Sequence, residues 1–271
     1  MGSLSTKQFS VRDLQGLSLW LKADSGVTLV GSNVTAWADQ SENGFDVVPD
    51  LVSADITLAS NVAKFNNKPA IYFQTTDEAG DVGLFNNNTF ITKSLFIVYS
   101  LENVDNFEYS VAYENNGINA YTSYGDGNRA FGGYFNGFFD SDTLSTISTA
   151  YIRTVIADDD EDGNNPIDFF INGNADGSVN GDGFYNSRNE IVIGNGGARA
   201  AGPSPSINQP FQGYIAEIVA YDVVLTTPQR QQVEAYLNAK YAIYSPIKNN
   251  KISIKKTNAG VGKISLYKNS T

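Results

Sequence analysis

The 271-residue chain contains no cysteine and no histidine. Without cysteine there are no disulfides and no thiolate nucleophile. Without histidine the chain loses the commonest metal ligand and the usual general base near neutral pH. Ser-His-Asp and Cys-His catalysis, HExxH chemistry and zinc sites of the usual kind are therefore excluded. Long apolar runs are missing too: no window approaches the roughly 20 apolar residues of a membrane-spanning helix. Met1-Gly2-Ser3-Leu4-Ser5-Thr6-Lys7 has no apolar run after a charge, so a secretory signal is not expected.

Positive charge is scarce and unevenly placed. There are 18 Lys and Arg against 29 Asp and Glu, a net of −11. Six of the lysines (Lys248, Lys251, Lys255, Lys256, Lys263, Lys268) fall in residues 245–271, which hold no acid. That leaves 12 basic against 29 acidic groups in residues 1–244, a net of −17. So acidic a body repels phosphates, and nucleic acid is not an expected partner. The basic tail suits an acidic partner or the chain's own body.

Turn formers are abundant, with 29 Asn and 25 Gly. Both tolerate the positive φ of tight turns. Between them lie short runs rich in Ile, Val, Phe and Tyr. The expected strands are Leu17–Lys22, Val34–Ala38, Pro69–Phe73, Ser94–Ser100, Tyr109–Tyr113, Tyr151–Ala157, Ile167–Ile171, Glu190–Gly194 and Gly213–Val223. Many short strands without intervening helices predict an all-β antiparallel sandwich or barrel. Leu95–Tyr99 is apolar at every position, which places it mid-sheet, covered by the second sheet on one side and by loops on the other. Asn172-Gly173 and Asp176-Gly177 supply the positive φ of a hairpin turn.

One helix is expected, from Thr226 to Tyr241, packed on an edge or end of the sandwich. Thr226 and Gln229 form a capping box, and Pro228 sits in the first turn. Val233, Tyr236, Leu237 and Tyr241 make an apolar stripe. Beyond Pro246, Lys251–Lys255 and Lys263–Lys268 alternate apolar and polar residues; they read as a hairpin or as a disordered basic tail. The chain therefore divides into an arm (1–12), a sandwich (13–244) and a basic tail (245–271).

Three parts of the chain carry a resemblance. Gly16–Val27 followed by Val34–Gly44, with Trp20 and Trp37, resembles the opening of LamG-like, concanavalin A-like lectin/glucanase modules. Phe170-Ile171-Asn172-Gly173 is similar to their hairpin, and Gly213–Asp222 with the capped helix is similar to their closing segment. The resemblance brackets residues 16 to about 243, and residues 75–150 fit only in texture. It implies a jelly roll of two antiparallel sheets, one concave, where relatives bind glycans. Such modules occur in bacterial surface proteins and phage structural proteins. The fold hosts lectins, glycosidases and purely structural modules, so it does not choose among them.

Glycoside hydrolysis needs two carboxylates roughly 5–9.5 Å apart. No Glu-x-Asp-x-Glu run provides them. Glu108 and Glu114 lie six residues apart, and Glu217 stands alone, sharing a face with Ile215, Val219 and Tyr221; it reads as a hydrogen-bonded structural group. Asp158, Asp160 and Asp162 precede Gly163 in an alternating pattern that can wrap Ca²⁺, although Phe169 stands where a calcium loop carries its Glu. The loop equally reads as a solvated hairpin tip. Residues 121–139 are rich in aromatics that fill a core or stack on sugar rings. Tyr121, Tyr124 and Tyr134 are the candidates for glycan contact.

These readings favour a non-catalytic adhesion or structural module. A phage virion component on the capsid or tail exterior is preferred, anchored to other virion proteins through residues 1–12 or 245–271. A secreted or cell-surface bacterial lectin and a glucanase-type hydrolase are the alternatives. A host-surface glycan and a second copy of the chain are candidate partners.

Overall fold

The computed structural model describes residues 8–49, 56–74, 83–86, 88, 91–103, 108–114, 119–123, 130–134, 138–158, 165–181, 190–194 and 211–245. Among these lie two antiparallel sheets and one α-helix. The ten-stranded sheet contains β1 (Leu17–Lys22), β2 (Val27–Val30), β3 (Asn33–Trp37), β5 (Ile56–Val62), β6 (Lys68–Phe73), β8 (Ser94–Leu101), β13 (Ala150–Ala157), β14 (Asn165–Ile171), β15 (Asn174–Gly181) and β17 (Gly213–Tyr221). The seven-stranded sheet contains β4 (Val48–Pro49), β7 (Leu84–Asn86), β9 (Glu108–Glu114), β10 (Asn119–Ser123), β11 (Ala130–Tyr134), β12 (Phe138–Leu144) and β16 (Glu190–Ile193). The first runs in the order β15-β14-β13-β8-β17-β6-β5-β3-β2, the second β12-β11-β10-β9-β16-β7-β4. The all-β sandwich expected from the sequence is the fold found.

Two apolar layers follow from strand alternation. Along β8, Leu95, Ile97, Tyr99 and Leu101 face the second sheet and join Leu84, Phe131, Ile191 and Ile193 from it. Phe96 and Val98 face the other way, into a second core with Trp20, Ile152, Val219 and Tyr221. That second core is closed by helix α1 (Thr227–Tyr241) through Val233, Leu237 and Tyr241, and by Val11 and Phe9 of the N-terminal segment. The helix therefore covers a sheet face, not the edge or end expected, and it replaces the loops expected over Leu95–Tyr99. Its path crosses the strands. Arg230 lies over the ring of Phe170 on β14, Glu234 meets Thr154 on β13, and Tyr241 meets Glu217 on β17. Fifteen residues give a helix of about 22 Å, which spans several strands at about 4.8 Å spacing.

Local signals act as the sequence predicts in two places. Gln229 accepts from the Thr226 backbone N–H at 3.0 Å and completes the capping box. Asn172 (φ 51°) and Gly173 (φ 81°) form the two-residue turn between β14 and β15. Asp176-Gly177 is not part of a turn. The pair lies inside β15, where the register against β14 shifts between Asp168 and Phe170 and Gly177 takes φ 102°. The extra residue is a bulge, and it turns Asp176 inward.

A second bulge matters more. Along β17, Ile215 pairs with Tyr99 and Glu217 with Val98, so Ala216 is the extra residue. Ala216 and Glu217 consequently both face the helix, while Ile215 faces the second sheet. Glu217 thus shares its face with Val219 and Tyr221 but not with Ile215, contrary to strict alternation. At the same place β17 changes partners. Gly213–Ile215 pair with β6, whereas Glu217–Tyr221 pair with β1.

Candidate functional site

The change of partner leaves the end of β1 and the start of β6 side by side without a shared ladder. Helix α1 passes over this notch. Asn66, in the αL turn that precedes β6, donates to the Lys240 carbonyl at 3.2 Å and holds the helix C-terminus there. The result is a cleft of about 650 Å³, lined by Phe9, Lys22, Lys68, Gln232, Tyr236 and Lys240 together with Gln8, Asp24, Asn66, Ala235 and Ala239. The helix residues recur at three- and four-residue spacing and form the flank beside the buried stripe of Val233 and Leu237.

Glu217 lies beneath this cleft and is fully buried. Its Oε1 accepts from Trp20 Nε1 at 2.6 Å and from the Tyr236 hydroxyl at 2.9 Å. Its Oε2 accepts from Lys240 Nζ at 2.7 Å and the Tyr241 hydroxyl at 2.8 Å. Lys240 also pairs with Asp24 at 3.0 Å. Burial, and then the Glu217 charge, push Tyr236 and Tyr241 far above the usual tyrosine value. Burial and Glu217 raise Tyr221 in the same order. A carboxylate with four donors, one of them a paired ammonium, is a structural hub, consistent with the hydrogen-bonded role expected of it.

Two further buried ion pairs were not legible as such in the sequence. Arg153, fully buried on β13, pairs with Asp176 and donates to the Thr143 carbonyl at 2.9 Å. Its guanidinium lies beside the rings of Phe131 and Tyr151. Arg230 pairs with Glu234 one helical turn on, and Glu234 also accepts from Thr154 Oγ1 at 3.0 Å. Burial raises the Glu234 carboxyl, and Arg230 opposes the shift. The i, i+4 spacing of Arg230 and Glu234 was the available signal. The apolar stripe concealed it, because both side chains lie within the buried face.

The residues singled out in the sequence are dispersed. Tyr121 lies on β10 opposite Gly132, and Tyr134 lies on the neighbouring β11 opposite Asn119. Glu108 and Glu114 bound β9, with Glu114 opposite Glu190. Asp158 directly follows β13, its N–H bonded to the Pro166 carbonyl at 3.0 Å, so its loop connects two antiparallel strands as expected. Tyr124, Asp160, Asp162 and the segment 251–268 lie outside the described residues. No described helix is long and apolar enough to cross a membrane. The cleft was not anticipated, because Lys22 and Lys68 come to border it only through the partner switch at the β17 bulge.

No family model and no curated protein sequence matches this chain. Solved structures do. One is domain 4 of AbnA, a GH43 extracellular arabinanase from Geobacillus stearothermophilus, in complex with arabinotriose. It is 16% identical with a TM-score of 0.55, covering 82% of this chain and 98% of that domain. Trypanosoma rangeli sialidase aligns at 11% identity and a TM-score of 0.53, over 80% of this chain. The chain corresponds to about a third of the sialidase, 32% of its length. The receptor-binding domain of botulinum neurotoxin type G aligns at 13% identity and a TM-score of 0.52, covering 82% of this chain and 51% of that one. At these identities the likeness establishes the β-sandwich fold.

Proposed function

We propose that this chain is a non-catalytic glycan-binding module of the LamG-like, concanavalin A-like kind. The observation that carries the reading is the likeness in extent to AbnA domain 4. Nearly that whole domain aligns, and its structure is a complex with arabinotriose. Receptor- and carbohydrate-related modules among the other neighbours support it. The buried carboxylates support a non-catalytic role, since Glu217, Glu234 and Asp176 are each held by cations within the fold. Tyr121 and Tyr134 fall on one hairpin of the seven-stranded sheet, with Tyr124 between them in sequence, and aromatic rings there suit stacking on sugars.

The test is a glycan array followed by calorimetry on the hits, in calcium and in EDTA. Tyr121→Ala and Tyr134→Ala are expected to weaken binding at least about tenfold, the loss of one stacking contact each. A flat array removes the proposal. Dependence on calcium assigns the Asp158, Asp160 and Asp162 loop a role. We extend the proposal to an exterior virion component, docked through the basic residues 245–271 on an acidic partner. Deletion of residues 245–271 is then expected to abolish incorporation into particles, and unchanged incorporation defeats the extension.

A further inference from the structure

We propose that the cleft between β1 and β6 binds a carboxylated sugar, a hexuronate or sialate residue, with Lys22 and Lys68 taking the carboxylate. It is a different site from the tyrosine hairpin. The choice of a sugar over other carboxylates rests partly on the glycan-binding reading.

Charge is the first argument. Three lysines and one aspartate line the cleft in a chain whose net charge is −11. Lys240 is neutralised by Glu217 and Asp24. Those two carboxylates set against the three lysines leave one net positive charge at the cleft. The ammonium of Lys22 lies over the Trp20 ring, 4.6 Å from its centroid, and no described carboxylate pairs with it or with Lys68. A net positive charge, carried by two lysines without a carboxylate partner among the described residues, favours an anion, and partial burial strengthens that attraction relative to open solvent.

Shape and surface are the second argument. The volume of about 650 Å³ lies within the range of small-molecule sites. Ala235 and Ala239 keep the helix wall low. Phe9 and Tyr236 meet edge to face with centroids 6.5 Å apart and supply an apolar surface for a sugar's C–H face. Gln8, Gln232 and Asn66 add side-chain amides, which both donate to and accept from hydroxyls. A plain inorganic anion would use the lysines and leave the rings and amides without partners.

The cleft is also prebuilt. Tyr236 is fixed by Glu217, Lys22 by its place opposite Glu217 on the β1–β17 ladder, and Asn66 by the helix C-terminus. Little ordering is left for binding to supply.

The experiment is an NMR titration that follows the Trp20 indole N–H, which donates to Glu217 directly below the cleft. The probes are galacturonate, N-acetylneuraminate, neutral galactose, acetate and inorganic phosphate. Galacturonate or N-acetylneuraminate is expected to shift the Trp20 signal saturably, more weakly at high salt. Galactose, acetate and phosphate are expected to bind at least about tenfold more weakly, the loss of one charge-assisted or stacking contribution. Lys22→Gln with Lys68→Gln should weaken the acidic sugar by at least about tenfold. Ala235→Phe keeps both charges, fills the cleft and should abolish binding in a protein whose remaining amide spectrum is unchanged. Equal binding of acetate or phosphate overturns the sugar assignment. The absence of any saturable shift, or binding that survives Ala235→Phe, overturns the site. A silent cleft in a protein that still binds an array glycan through Tyr121 defeats this proposal alone; a flat array with a responsive cleft defeats the function proposed from the tyrosine hairpin and leaves the cleft standing.

Discussion

The indole of Trp20 and the carboxylate of Glu217, 197 residues apart in sequence, meet at 2.6 Å between the ten-stranded sheet and its helix. This contact ties the first strand to the last, and Tyr236, Lys240 and Tyr241 tie the helix to the same oxygens. Strand pairing alone would leave the helix free to rotate on an apolar surface. Three directional bonds from the helix to one buried group fix it.

Glu217→Ala is therefore expected to cost at least about 3 kcal/mol, because it leaves three donors unpaired and Lys240 with Asp24 alone. Glu217→Gln keeps one acceptor oxygen but loses one of the two counter-charges of Lys240, so it should fall between the wild type and alanine. Urea denaturation followed by tryptophan fluorescence measures both. A loss below about 1 kcal/mol for alanine would show that the network contributes little beyond packing.

The same network sets the alkaline limit. Tyr221, Tyr236 and Tyr241 hold their protons well above the usual tyrosine value, through burial and then the charge of Glu217. The unfolded chain releases these protons near pH 10, roughly the ordinary value. Above that pH the unfolded state binds fewer protons than the folded one, so stability falls as pH rises. Stability contributed by these groups should be intact below about pH 10 and decline from there towards the folded-state values. Urea midpoints measured between pH 8 and 11 test this. Tyr236→Phe should lower the midpoint at pH 8 and flatten the alkaline decline; an unchanged slope would exclude Tyr236 as a contributor.

The Arg153–Asp176 pair lies in the inter-sheet core, where neither side chain reaches water. Removing one partner leaves the other charge buried, at a cost of about 3–5 kcal/mol. Asp176→Ala is expected to fall in that range. Arg153→Met combined with Asp176→Ala removes both charges and should be less destabilised than Asp176→Ala alone. A double-mutant cycle by denaturation reads the difference, and strict additivity would mean that the two charges do not interact.

Nine of the described strands and the helix were legible because their patterns are local. Leu17–Lys22 is a short run dense in Leu and Trp, Asn172-Gly173 requires a turn, and Thr226 with Gln229 marks a helix start. Placement of the helix was not legible, since an apolar stripe specifies a buried face without saying which surface buries it. Bulges defeated the rest. One extra residue at Ala216 reverses the side-chain order beyond it, so Glu217 joins the helix side and the β1–β6 notch opens. Asp176-Gly177 carries the composition of a turn and serves as a bulge. Nothing in the spacing of Lys22 and Lys68 announces that they border one cleft, because the contact is made through a third strand.

Gly194 and Gly31 separate two costs of adding a methyl group. Both have positive φ, 81° and 64°. A Cβ on Gly31, in the turn between β2 and β3, meets nothing within 4 Å. A Cβ on Gly194 would overlap the ring of Phe73, which is fully buried and braced edge to face against Phe211 at 6.1 Å. Gly31→Ala therefore carries only the left-handed backbone penalty, about 1–2 kcal/mol. Gly194→Ala adds an overpacking cost of about 1–3 kcal/mol on top of that penalty. Thermal or urea unfolding of the two variants should place Gly194→Ala clearly below Gly31→Ala. Equal losses would mean that Phe73 and Phe211 shift to admit the methyl, and that the junction after β16 is softer than its packing implies.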